Sequence, residues 1–490
     1  MNNFQDQSKQ QAIDTLLGTR SGQTQVVLYD PVYTAADEEL ARRKDEYATR
    51  KRVRLFVGTY NVCAQPPQQL EAWLREASGA DVVVLSFQEL VPLTAQQMLT
   101  SSAAEPMRHW ERMVLAALHT GTESYVVLRS ELLFATSVLL LVRETMLPHV
   151  RNVEAASKKT GLRGMSGNKG GIAVRMDVFD TDLCVVGAHL AAGSTSVDER
   201  NGDYASIARG VQFPRGRTID AHTHVFWAGD LNYRFDQLSS AEVRGLCAEL
   251  PPVGAPEGTA PEGVLRKLQA HDQLKLAQAS QAAFAGYLEG PLTFRPTYKY
   301  DIHTDTYDSS EKARAPAWTD RVLWRTKMHD ADAVRLTTYT CADLRISDHR
   351  PVHAQFDVLV YAVDATKRAA LQKELVGVAQ QSAPPSDDSA SLPQPSDDAQ
   401  QWWHQGPPLQ PSTDATPGNP FIETPPSLPA RRGDAAAPAL PPPPPRRSAG
   451  VIDAENPTSR QTRAHVPNLS AQGGENPAAP PPVPRRPGFT

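Results

Sequence analysis

His224-Val225-Phe226-Trp227-Ala228-Gly229-Asp230-Leu231-Asn232-Tyr233-Arg234 is the stretch that decides how the chain is read. Its first half is β-branched and aromatic, the composition of a strand that packs on both faces. Gly229 marks a sharp exit, so Asp230 and Asn232 stand at the strand's carboxyl end. Side chains two apart in extended backbone point to one side, and a carboxylate and an amide are then presented together above the sheet. Such a pair orients a water and holds an anionic oxygen. Alone it is equally an ordinary Asp/Asn turn, so the rest of the chain has to decide.

Working outward, the same pattern returns. Residues 54–62 read as a strand that delivers the amide Asn61, the apolar run at 81–89 delivers Glu89, and the strand at 183–189 delivers His189. Further strands are expected at 125–128, 137–142, 171–179, 318–324 and 351–360, and helices at 67–77, 201–210, 236–249 and 271–288. Strands alternating with helices, interrupted by hairpin-like pairs, indicate an α/β layered fold with mixed sheets. Folds of this kind gather their ligands where strands end.

The chain has 490 residues, 40% hydrophobic and 21% charged, with a formal net charge of -5, which describes a soluble protein with a large core. The mild negative charge argues against a general nucleic-acid binder, and no nucleic-acid partner is expected. Cys63, Cys184, Cys247 and Cys341 show no CxxC spacing and read as reduced thiols. No apolar run approaches the roughly 20 residues of a membrane span, and Met1-Asn2-Asn3-Phe4 opens no signal pattern, so a cytoplasmic location is expected. Residues 1–50 hold polar helical candidates at 10–17 and 35–47 around a short apolar piece at 26–29; neither helix has a wide enough apolar face to fold alone. Residues 363–378 read as a helical extension. Most of the 41 prolines follow residue 380, and from about residue 379 the chain is Pro, Ser, Asp, Ala and Gln without periodicity, which reads as disordered.

Asn61, Glu89, His189, Asp230 with Asn232, Asp320 and Ser347-Asp348-His349-Arg350-Pro351 ask for one explanation. Oxygen ligands without cysteine suit a hard cation, and carboxylates plus waters plus substrate phosphate are how magnesium is usually held. Glu89 with Asn61 fits that role. His349 can bond to Asp320, which fixes its tautomer and favours an imidazolium beside a phosphate.

Phe226 to Arg234 and Arg314-Ala315-Pro316-Ala317-Trp318-Thr319-Asp320-Arg321-Val322-Leu323 resemble the two signature motifs of the inositol polyphosphate 5-phosphatases, of the DNase I-like endonuclease/exonuclease/phosphatase superfamily. Phe87-Gln88-Glu89, Gly167-Asn168-Lys169-Gly170-Gly171, Ala188-His189-Leu190, Pro296-Thr297-Tyr298-Lys299-Tyr300-Asp301 and Ser347 to Val352 follow in the family's order, over about residues 50 to 360. Arg151-Asn152-Val153-Glu154 and Lys158-Lys159-Thr160-Gly161-Leu162 are similar to the synaptojanin type. The resemblance implies a four-layer α/β sandwich with two mixed β-sheets over residues 51–362, and Mg2+-dependent removal of the 5-phosphate from phosphoinositides, above all phosphatidylinositol 4,5-bisphosphate. It implies that Glu89, Asn61 and Asp348 surround the metal, that Asp230 positions or deprotonates the water, and that Asn232 and His189 hold phosphate oxygens. His349, paired with Asp320, then stabilises the transferring phosphoryl, while Tyr298, Lys299 and Arg314 meet a 4-phosphate and Lys169 another phosphate. One departure is that Cys63-Ala64 stand where the family usually has Asn-Gly, which puts an outer metal role there in doubt. Residues 9–18 resemble the close of a Sac-type phosphatase domain, with that domain itself absent.

In the tail, residues 440–447 and 481–486 each contain a PxxPxR pattern, a ligand for SH3-type domains, and Asn419-Pro420-Phe421 is a tripeptide bound by EH-domain endocytic adaptors. The expectation is a peripheral membrane enzyme of endocytic traffic. A DNase I-like nuclease and a catalytically dead adaptor acting through its tail are the alternatives.

Overall fold

The computed structural model describes residues 31–93, 102–119, 123–255 and 258–382. The chain divides into two units, Met1–Ser391 and Leu392–Thr490, and all the described residues lie in the first. The expected elements at 10–17 and 26–29, the Sac-like stretch and the Pro-rich tail with its SH3-type and EH-domain motifs lie outside the described residues.

The strands in chain order are β1 (Ala48–Asn61), β2 (Val82–Gln88), β3 (Tyr125–Leu133), β4 (Thr136–Arg143), β5 (Val150–Thr160), β6 (Ser166–Val178) and β7 (Thr181–His189). They continue as β8 (Gln212–Phe213), β9 (Arg217–Thr218), β10 (His224–Asp230), β11 (Leu288–Glu289), β12 (Asp320–Thr326), β13 (Val334–Cys341) and β14 (Val352–Val363). One 6-stranded sheet has the order β13-β14-β1-β2-β4-β3, the other β11-β12-β10-β7-β6-β5. Each is mixed: β1 runs parallel to β2 and β10 parallel to β7, while the remaining neighbours are antiparallel.

The alternation of side chains builds the layers. Along β10, Phe226 and Ala228 enter a core shared with Leu55 and Val57 of the other sheet, whereas Val225 and Trp227 enter a separate core with Ile207, Leu274 and Phe284. Along β1, Phe56 turns the other way, to Trp73 and Trp110. Both faces of both sheets are therefore covered, which is why their central strands read as continuous apolar runs. This is the expected four-layer sandwich. Helices Pro31–Arg42 and Ala365–Ser382 pack on each other through Leu40, Leu371 and Leu375 where β1 starts opposite the end of β14. No described helix is long and apolar enough to cross a membrane.

Several expectations change. The helix expected at 67–77 is only Glu71–Leu74 with a 3-10 turn at Arg75–Ala77, since Gln69 takes a left-handed φ of 52°. That at 236–249 is Ser240–Ala248, started by a capping box of Ser239 and Glu242. That at 271–288 ends at Ala279, because Gln281 and Phe284 adopt left-handed φ and the later apolar residues pack from turns. Helices Ala104–Leu118 and Glu262–Ala270 and strands β5 and β13 are additions to the expected set. The two strands lie at sheet edges and carry polar side chains on their open faces, which hides their period.

Candidate active site

The parallel pairs bring polar strand ends level. Asn61 is in register with Gln88, next to Glu89, and Asp230 with His189. The two sheets then meet: Asn61 Nδ2 donates to Asp230 Oδ2 at 3.0 Å. His189 Nε2 stands 3.3 Å from the same oxygen and 3.8 Å from Glu89 Oε1. Gly229 is not an exit from the strand, as expected, but lies within β10; a Cβ there would fall 2.0 Å from Ala188 O, so the glycine lets β10 approach β7. Asn232 also departs from the expected extended geometry. Its φ is 59°, its backbone N donates to Asp230 Oδ1 at 3.1 Å, and its Nδ2 donates to Leu190 O at 3.1 Å.

Asp320 opens β12 opposite Asp230. Its Oδ2 collects Thr297 Oγ1 at 2.7 Å, Thr319 Oγ1 at 2.9 Å and His349 Nδ1 at 2.9 Å. The expected His349–Asp320 contact is thus present, with both residues buried. Ser347 Oγ donates to Asn61 O at 2.7 Å and accepts from His349 N at 3.2 Å, tying this segment to the end of β1. The Tyr298 ring lies 4.4 Å from that of His349, and the Arg234 guanidinium lies 4.3 Å over Tyr298. Lys169, on β6, meets His189 Nε2. Lys299 and Asp348, expected at a phosphate and at a metal, pair with each other. Arg314 is held 3.2 Å from Asp308 at the edge of this group.

Charge follows from burial and partners. Burial opposes a charged His349, yet Asp320, and then Asp230 and Asp348, raise its pKa to about 9. Burial likewise opposes a charged Asp230, but the bond with His189 and the charges of His349 and Lys169 hold it well below the usual carboxylate range. His189 and Lys169 are both lowered, first by burial. Burial, Asp348 and Glu89 push the Cys63 thiol up to about 12, so it stays protonated. Cys63 and Ala64 take φ of 47° and 56°, the left-handed conformation that Asn-Gly adopts most readily. Arg234, Thr297, Thr319 and Ser347 carry no role in the sequence reading; their signal is their place inside the quoted motifs.

Among the described residues, no group of three His, Cys, Asp or Glu side chains could hold a metal unaided. The partly exposed Glu89 carboxylate and the buried Asn61 amide, whose Oδ1 accepts from Cys63 N at 3.1 Å, are hard oxygen donors on either side of the Asp230–His189 contact, a donor set that fits a cation completing its shell with waters and phosphate. Carboxylates and imidazoles with Lys169 and Arg234 among them are groups of the kind that position a water and neutralise charge on a phosphate.

Residues 58–355 match the profile of endonuclease/exonuclease/phosphatase family 2. Inositol-1,4,5-trisphosphate 5-phosphatase 1 of Schizosaccharomyces pombe is 41% identical over 382 residues, 76% of this chain and 34% of that protein. Polyphosphatidylinositol phosphatase INP53 of Saccharomyces cerevisiae is 39% identical over 379 residues, 76% of this chain and 33% of that one. The crystal structure of the inositol polyphosphate 5-phosphatase domain of SPsynaptojanin, in complex with inositol (1,4)-bisphosphate and calcium ion, superposes with a TM-score of 0.63 at 39% identity, covering 72% of this chain and 98% of that one. The chain belongs to endonuclease/exonuclease/phosphatase family 2, and within it to the inositol polyphosphate 5-phosphatases of synaptojanin type. It spans about a third of the length of these curated relatives.

Proposed function

We propose that the chain hydrolyses the 5-phosphate of phosphoinositides, with phosphatidylinositol 4,5-bisphosphate as principal substrate and Mg2+ as cofactor. The observation that carries this reading is the buried Asp230, bonded to Asn61 across the two sheets and to His189 beside it, with Asp320, which opens β12 opposite Asp230, orienting His349. The relatives, an inositol-1,4,5-trisphosphate 5-phosphatase and a polyphosphatidylinositol phosphatase, support it.

Asp230 orients the attacking water and takes its proton as the new P–O bond forms in line with the breaking one. The charge of His349 stabilises the transferring phosphoryl, and the inositol oxygen leaves as a hydroxyl by taking a proton from solvent water, to which Asp230 then returns the proton it took. Asn232, His189 and Lys169 hold phosphate oxygens. Glu89 and Asn61, with Asp348, would hold the Mg2+, which supplies charge neutralisation on the phosphate. Tyr298, Lys299 and Arg314 receive the 4-phosphate, the group that sets this reading apart from a nuclease. The catalytic unit runs over residues 51–362, preceded by a lead-in over 1–50. The PxxPxR and Asn-Pro-Phe motifs beyond residue 379 recruit SH3-type and EH-domain proteins and bring the enzyme to the cytosolic membrane face in endocytosis.

Phosphate release across a panel of phosphoinositides and soluble inositol phosphates, with and without Mg2+, tests the reading. The 4,5-bisphosphate lipid should be hydrolysed fastest, only with Mg2+ present, and Asp230→Ala should lose about 1,000-fold or more of kcat with its circular dichroism unchanged. Unchanged turnover in Asp230→Ala would remove the mechanism.

A further inference from the structure

Asp272 and Gln273, neighbours in sequence, each hold one of the two segments that bring carboxylates to the hollow. Asp272 caps helix Gln273–Ala279, accepting from Lys275 N at 3.0 Å. Its two oxygens also accept from Arg321 Nη1, at 3.1 and 2.9 Å. Arg321 directly follows Asp320, is fully buried, and is gripped on its other side by Glu289 at 2.6 and 2.7 Å. The start of β12 is therefore anchored through an arginine clasped by two carboxylates.

Gln273 does the same for the other segment. Its Oε1 accepts from Arg234 N at 2.9 Å and from Arg200 Nη2 at 2.7 Å, and its Nε2 donates to Ser194 O at 3.1 Å. Arg200, also fully buried, donates to Ala191 O at 3.2 Å and Gly193 O at 2.6 Å, in the loop that leaves His189. The backbone closes the tie: Gln273 N donates to Arg234 O at 2.9 Å and Asp236 N to His271 O at 2.7 Å. Arg234 in turn donates to Asn232 O at 3.1 Å and lies over Tyr298.

We infer that Asp272 and Gln273 are positioning residues for hydrolysis: the dipeptide sets the Asp230-to-Arg234 segment, the loop after His189 and the start of β12 in one mutual arrangement, acting through Arg234, Arg200 and Arg321. This rests on the functional reading above for its kinetic consequence. Buried polar groups bonded to one another hold one geometry, and a misplacement of about 1 Å at a reacting group costs about 100-fold in rate. Gln273→Leu keeps the volume but strips the acceptor from two donors. Gln273→Glu keeps the acceptor oxygen for Arg234 N and Arg200, but replaces the donor to Ser194 O with an oxygen that repels it.

The test combines steady-state kinetics on inositol 1,4,5-trisphosphate with hydrogen exchange read by mass spectrometry on the full chain. Gln273→Leu should lower kcat about 10- to 100-fold with KM within about threefold, and speed exchange at 190–194 and 230–236 while β2 and β4 stay protected. Gln273→Glu should recover part of the lost kcat. Unchanged kcat and exchange in Gln273→Leu, or equal damage from Gln273→Glu, would overturn the inference. Should Gln273→Leu fail to fold, Asp272→Asn decides: exchange at 318–322 rises and kcat falls if the tie to Arg321 positions Asp320, and neither moves if it does not. A wild-type chain that releases no phosphate removes the functional reading, and the exchange data still judge the tie.

Discussion

His349 Nδ1 lies 2.9 Å from Asp320 Oδ2, and two threonine hydroxyls share that oxygen. The imidazole is therefore oriented and its charged form favoured, with a pKa raised to about 9 against an ordinary value of 6.5. Because the folded value is the higher, the stability gained is fully present below about pH 6.5 and is lost as pH rises through about 9, on the order of 3 kcal/mol in all. Urea denaturation at pH 6 and pH 10 checks the sign. Asp320→Asn should move the alkaline fall of kcat to lower pH by at least about one unit, read from pH–rate profiles.

Lys299 pairs with Asp348 beside Tyr298, so a second phosphate has a cation to claim. Lys299→Ala should raise KM for a 4,5-bisphosphate by about 10-fold or more, while KM for a substrate with only the 5-phosphate changes less than about threefold. Equal effects on both would take Lys299 away from substrate discrimination.

Ala64 holds φ at 56° directly after Cys63 at 47°. A left-handed alanine costs about 1 kcal/mol more than glycine, partly offset by the greater freedom of an unfolded glycine. Ala64→Gly should therefore stabilise by about 0.5 kcal/mol, seen as a higher urea midpoint with an unchanged m-value.

Gly229 has no space for a methyl group against Ala188 O. Gly229→Ala should push β10 from β7, lower stability by about 3 kcal/mol and reduce kcat at least 10-fold, since Asp230 and His189 face each other across that pair. Thermal unfolding and phosphate release on the same preparation measure both.

How far the sequence alone can be read follows from the local chemistry of each element. Val225-Phe226-Trp227 and Val82-Val83-Val84-Leu85 announce buried strands because both faces are covered, and the motifs containing Asn61, Glu89, His189 and Asp230 mark where those strands end. Helix Ala104–Leu118 is illegible because its buried Met107, Trp110 and Val114 are diluted by Arg108, His109, Glu111 and Arg112. The left-handed turn at Asn232 is set by contacts with Leu190, and the Lys299–Asp348 pair by the approach of distant segments. No periodicity carries either. The Asp272-Gln273 tie is equally hidden, since its partners at Arg200, Arg234 and Arg321 are brought together only by the folded sheets.

The bond from Asn61 to Asp230 crosses from one sheet to the other. A half-assembled chain, with either sheet complete and its mate unformed, owns only part of the reaction machinery. Turnover is consequently a gauge of finished assembly: during refolding it should not precede the burial of the core shared by the two sheets.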